Sequence, residues 1–118
     1  MIKTSLALAL GLSSSLAFAA TSLTVEDIPK IQSVIQTSIS PDGDNVAFTR
    51  SVPRELYVDE NGANYSELYV VDDEGVERPF ITGSVNIKSI QWSNDSKTIY
   101  FLAKLKDDKF TALYQIPV

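Results

Sequence analysis

Two carboxylates in the stretch Ser40-Pro41-Asp42-Gly43-Asp44 are the first residues whose types and spacing could do chemistry. Acids this close together could exchange a proton with a substrate or share a bound cation. The same stretch also suits a β-turn, because Pro41 pre-sets φ, Asp42 can accept a bond from the backbone beyond it and Gly43 tolerates positive φ. Whether the pattern recurs in the chain decides between a site and a turn.

The absence of two residue types restricts the chemistry further. The 118 residues include no His and no Cys, which excludes a Ser-His-Asp or Cys-His nucleophile and any thiolate or imidazole metal ligand. The acidic stretch Asp59-Glu60-Asn61-Gly62 could attract calcium, but it does not match the spacing of an EF-hand loop and is better explained as a turn. We therefore assign no catalytic, cofactor-binding or metal-binding residue and expect no cofactor.

The first twenty residues have the pattern of a secretory signal peptide. Lys3 precedes an apolar run from Leu6 to Leu12, and small residues close the segment at Ala17 to Ala20. The apolar run is shorter than the roughly 20 residues that a membrane span needs. We predict that residues 1–20 are cleaved, that the protein is periplasmic or secreted, and that no membrane span remains after cleavage.

The charge balance bears on the partners. Ten Lys and Arg residues stand against fifteen Asp and Glu residues, a net charge of −5 at pH 7. Nucleic acids and anionic membrane surfaces are bound through clusters of Lys and Arg. The acidic balance therefore predicts no nucleic-acid partner.

The remaining sequence predicts an all-β, antiparallel fold after a lead-in. Residues 21–32 form this lead-in, with a short helix that begins at Thr24 and is limited by Pro29. Short alternating runs separated by turn residues then predict strands at residues 33–40, 45–50, 67–72, 76–81, 87–92, 98–105 and 110–116. Residues 51–66 form a longer, polar loop, which could serve recognition or be a solvated excursion.

An internal repeat defines the organisation of these strands. Residues 40–48 align without a gap with residues 93–101, so that Ser40, Val46 and Phe48 match Ser93, Ile99 and Phe101. A unit near 50 residues with about four strands is typical of a β-propeller blade. We predict blade 1 at residues 33–82 and an incomplete blade 2 at residues 83–118. Recurrence of the turn in both copies favours a scaffold role for Asp42 and Asp44.

The lead-in and the turns together carry a family resemblance. The order LTVEDIPKIQSVIQTSISPDGDNVAFTR, ELYVVDDEG and IKSIQWSNDSKTIYFLAK resembles the start of a secreted prolyl oligopeptidase family serine peptidase of the dipeptidyl-peptidase or acylaminoacyl-peptidase type. The resemblance covers nearly the whole chain after residue 20. It implies an N-terminal β-propeller that gates the access of peptide substrates to a C-terminal α/β-hydrolase domain.

The chain departs from that family where the chemistry would lie. Gly83-Ser84 does not form the Gly-x-Ser-x-Gly elbow of the nucleophile, and no His can follow it. The paired glutamates by which the dipeptidyl-peptidase relatives bind a substrate's amino terminus are also missing, so no family site can be carried over. We expect a truncated, non-catalytic fragment whose partners are the missing blades and hydrolase domain. The alternative is a periplasmic protein-binding propeller of the Tol-system type.

Overall fold

The computed structural model describes residues 22–118 and is mostly β. Seven strands lie where the alternating runs predicted strands; the predicted signal peptide at residues 1–20 lies outside the described residues. The strands are β1 (Ser33–Ile39), β2 (Asn45–Val52), β3 (Tyr65–Asp72), β4 (Glu77–Ile81), β5 (Asn86–Trp92), β6 (Thr98–Lys104) and β7 (Ala112–Pro117).

The lead-in forms the predicted short helix, a 3-10 helix over Val25–Lys30. Asp27 stabilises its start, because its Oδ2 accepts bonds from the Thr24 backbone N at 3.0 Å and the Thr24 Oγ1 at 2.8 Å. These bonds, the backbone one first, hold the pKa of Asp27 below its usual range. The helix includes Pro29 and ends one residue after it, consistent with the limit that proline sets.

The strands form two antiparallel meanders, which we call the first unit (β1 to β4) and the second unit (β5 to β7). One parallel bridge, between Ser66 and Asn86, joins β3 to β5, so the whole is a mixed, open sheet. The pairing within each unit is antiparallel, as predicted, whereas the sequence did not predict the parallel bridge between the units. The Ser66 N donates to Val85 O at 2.9 Å and the Ser66 Oγ to Ile87 O at 2.9 Å, which satisfies buried polar groups where the units meet.

The edge strands differ in how they are protected. Within the described residues β4 pairs with β3 alone, and Pro79 lies opposite Tyr69 where the register shifts. An edge strand can contain a proline, because the outward side of the strand has no ladder to which the residue would have to donate. Among residues 22–118 strand β7 pairs with β6 alone, and this pairing is in regular register along its length.

The hydrophobic core lies between the two units. Ala47, Leu68 and Val70 of the first unit form one buried cluster with residues of the second unit, among them Ile99 and Phe101. Residues two apart in a strand share a face, so each unit contributes one face. Burial of apolar surface between the faces therefore holds the units together.

Three hydrogen bonds between β1 with its turn and the second unit form what we call the seam. The Trp92 Nε1 donates to Ser38 O at 2.8 Å, and the Asp42 N donates to the Ser96 Oγ at 3.1 Å. A longer bond runs from Ile90 N to Gln36 Oε1 at 3.4 Å. In each case the two partners are 54 residues apart in sequence, one more than the spacing of the repeat.

Candidate functional site

The first turn uses its polar groups for its own structure. The buried Ser40 donates through Oγ to Asp42 Oδ1 at 2.5 Å and accepts from Asn45 N at 3.0 Å. The Asp44 N donates to the same Asp42 oxygen at 3.1 Å, and Gly43 has the positive φ, 83°, that the sequence predicted for it. The serine bond first, then the backbone bond, holds the pKa of Asp42 below its usual range.

The second turn repeats this arrangement with different residues. Ser93 Oγ donates to Asp95 Oδ1 at 2.5 Å and accepts from Thr98 N at 3.0 Å, and the pKa of Asp95 is likewise lowered, chiefly by the Ser93 hydroxyl. Ser96 takes the positive φ, 60°, that belongs to Gly43 in the first copy. An ionised acid held by its own turn is a poor general acid near neutral pH.

The long loop between β2 and β3 is organised around Arg54. Its guanidinium donates to Ala63 O at 2.6 Å and Glu60 O at 2.9 Å, and lies 4.4 Å from the ring centroid of Tyr65. Asp59 accepts from Glu55 N at 2.7 Å and from the Tyr65 hydroxyl at 3.1 Å. The Asp59 carboxylate, one of the two in the acidic stretch that could attract calcium, is thus bonded inside the loop.

A cleft of about 850 Å³ lies between this loop and the lead-in helix. Ile28 and Ile31 line it from the helix side, and Leu56 and Tyr57 line it from the loop. All four are at least half exposed, and Tyr57 has a positive φ of 68°, a conformation that is costly for a bulky side chain. The cleft is open and its lining is mixed, because polar and charged residues of the loop, Arg54 among them, also line it.

A polar network covers the outer face of the first unit. The Arg50 guanidinium lies 4.3 Å from the Tyr69 ring centroid and donates to both Glu77 oxygens at 2.7 Å. Tyr69 donates to Glu67 Oε2 at 2.6 Å, a bond that raises the pKa of the tyrosine, and Gly83 N donates to Glu67 Oε1 at 2.8 Å. This network ties β2, β3 and β4 together and is structural.

The sequence indicated the turn acids, and the structure places Asp42 beside Ser96 of the second turn. The sequence did not indicate that Arg50, Arg54 or Glu67 would form polar networks, because single charged residues on alternating strands or in a loop form no spacing pattern. Among residues 22–118 no group of three or more His, Cys, Asp or Glu side chains could hold a metal ion. No helix in the same range is long and apolar enough to cross a membrane.

Comparison of the chain with known proteins gave no match to a family model or to a curated protein.

Proposed function

We propose that the chain is a non-catalytic propeller segment of a secreted serine peptidase of the prolyl oligopeptidase family. The observation that carries the proposal is the repetition of one unit with the same turn bonds, Ser40 to Asp42 and Ser93 to Asp95. The resemblance of the lead-in and the turns to that family supplies the choice of parent.

The way the units pack supports a repeat that can extend. Phe48 stacks on Tyr69 at 5.6 Å in the first unit, and Phe101 stacks on Tyr114 at 5.9 Å in the second. Phe101 belongs to the cluster between the units, whereas Phe48 lies outside it. Equivalent faces therefore point the same way, and one face of a unit packs on the opposite face of its neighbour. Blades of a propeller are arranged in this head-to-tail manner.

In the proposed parent the segment acts as scaffold. Its blades, with further blades, restrict access to an α/β-hydrolase domain that carries the serine nucleophile and cleaves peptide bonds. The polar groups of the two turns are consistent with this role, because they bond to their own backbone and to each other. Export by the predicted signal peptide would place the peptidase in the periplasm or outside the cell.

The coding sequence downstream of Val118 in the source genome tests the proposal. We expect further blade repeats, then a Gly-x-Ser-x-Gly elbow followed by Asp and His. The full-length protein should cleave chromogenic dipeptide and acyl-amino-acid substrates, and replacement of the elbow serine by alanine should abolish cleavage without changing the far-UV circular dichroism. Further repeats without a hydrolase would instead favour the protein-binding propeller, and the absence of both in every frame would refute the family assignment.

A further inference from the structure

The outer edge of β7 corresponds to an edge that is occupied in the first unit. Leu113 and Tyr114 match Leu68 and Tyr69 of β3 in the repeat, and β3 is paired on that side with β4. In the described residues nothing pairs with β7 on this side. Its six residues carry no charge, and its pairing with β6 shows no bulge. Pro117, its last residue, is the one feature of the kind that protects edge strands, and it leaves the stretch around Leu113 and Gln115 without a charge or a bulge.

The backbone of β7 aims its donors at this edge. Val118 N donates to Lys97 O in the direction of β6, at 2.9 Å. Because N–H groups alternate sides along a strand, the N–H groups of Leu113 and Gln115 point away from β6. Their equivalents in the first unit, Leu68 and Val70, lie opposite Ile81 and Arg78 of β4. The same pair of donors is therefore presented at both edges.

The side chains around the edge specify what could dock there. In the first unit Glu77 of β4 lies opposite Val71 and is neutralised by Arg50. The position that matches Arg50 in the second unit is Ala103, which is fully buried, and the position that matches Val71 is Ile116, which packs against the core. A carboxylate there would be desolvated without a cation, which is unfavourable.

We propose that the edge of β7 is a docking site for one antiparallel strand that is apolar where β4 carries Glu77. The strand completes the second unit as β4 completes the first, and affinity comes from main-chain bonds to Leu113 and Gln115. The proposal deepens the scaffold role, since it rests on the repeat and names the partner of this edge. It does not depend on peptidase activity.

Amide hydrogen exchange on the isotope-labelled full chain tests this site. Two peptides are added, one with the sequence of residues 74–83 and one with the same sequence and the change Glu77→Val. When the Glu77→Val peptide occupies about nine-tenths of the β7 edges, we expect amide exchange at Leu113 and Gln115 to slow about tenfold. The reason is that only the molecules without bound peptide, about one tenth of the total, then exchange. The unaltered peptide should need a higher concentration for the same effect.

The controls separate docking from general stabilisation. Leu68 and Val70, already paired with β4, should keep their exchange rates, and a scrambled peptide should have no effect. Gln115→Pro removes one outward donor and should weaken binding of the Glu77→Val peptide at least tenfold; unchanged emission of Trp92 verifies that this variant folds. Equal slowing by both peptides would overturn the apolar requirement. No slowing at Leu113, or slowing that follows protein concentration without peptide and so reports a second copy, would overturn the proposed occupant.

Discussion

Ser40 is the residue on which the first turn depends, because its buried hydroxyl both donates to Asp42 and accepts from Asn45. We expect Ser40→Ala to lower the free energy of unfolding by about 1–3 kcal/mol, because Asn45 N loses its acceptor and Asp42 loses a donor at a buried position. Urea titration followed by circular dichroism measures the change. Ser93→Ala is the matched control, and it should cost less because water can reach the half-buried Ser93. A larger loss for Ser93→Ala would contradict this account.

The turn acids also predict a pH dependence. The pKa values of Asp42 and Asp95 are lowered in the fold by serine and backbone bonds, whereas an unfolded Asp titrates near about 3.9. Their contribution to stability is therefore present above about pH 4 and lost as the pH falls through the folded values. Unfolding midpoints measured from pH 6 to pH 2 should show a fall below about pH 4, and Asp42→Asn should make the slope shallower. A slope unchanged in Asp42→Asn would argue against this cause.

At the scale of single elements, the ion pair between Arg50 and Glu77 fastens β4 to β2. Glu77→Gln should cost about 0.5–1 kcal/mol, because the pair is partly exposed, and should speed amide exchange in β4 more than in β6. Glu74→Gln, in the exposed turn that precedes β4, is the control and should leave the amide exchange rates of β4 and β6 unchanged. Equal acceleration in β4 and β6 would show that the pair does not act on β4 in particular.

The seam joins the two units through Trp92, which is also the single tryptophan of the chain. The residue is 7% exposed, so its emission should shift to longer wavelength when the units separate. We expect this shift to coincide with loss of the circular-dichroism signal in urea, because the core is shared between the units. Trp92→Phe should lower the urea midpoint, since the hydrogen bond from Trp92 Nε1 to Ser38 O is then lost. A fluorescence transition at lower urea than the circular-dichroism transition would mean that the units part before they unfold.

The strands were predictable because alternation and turn residues are local signals, and all seven were found within a few residues of the predicted bounds. The pairing of Ser66 with Asn86 was not, because a parallel bridge depends on how the units pack. The burial of matched residues was not predictable either. Leu68 and Leu113 match in the repeat, yet Leu68 is fully buried and Leu113 is 68% exposed. The hydrogen-bond network around Arg54 in the long loop was also not predictable from the sequence, because backbone carbonyls accept the bonds of the guanidinium.

At the scale of the whole molecule, the second unit presents an uncovered apolar face. Tyr100, Leu102 and Leu113 are exposed there, on the side that corresponds to the covered face of the first unit. We expect concentration-dependent association of the chain, because large exposed apolar patches promote it. Leu102→Lys should reduce association in sedimentation velocity without loss of the Trp92 signal. Thr111→Lys, at an exposed position before β7, is the charge-matched control, and an equal reduction by both would indicate a net-charge effect.

The seam has a consequence for how freely this sequence can vary. Each of its three bonds joins a side chain to a backbone atom: Gln36 to the amide of residue 90, Trp92 to the carbonyl of residue 38, and Ser96 to the amide of residue 42. Only one residue in each bond must keep its chemical identity, because any residue can supply the opposing carbonyl and any residue except proline can supply the opposing amide. The two units can therefore diverge in sequence while their alignment is preserved. A duplicated unit can remain docked after its sequence similarity to the other unit has been lost.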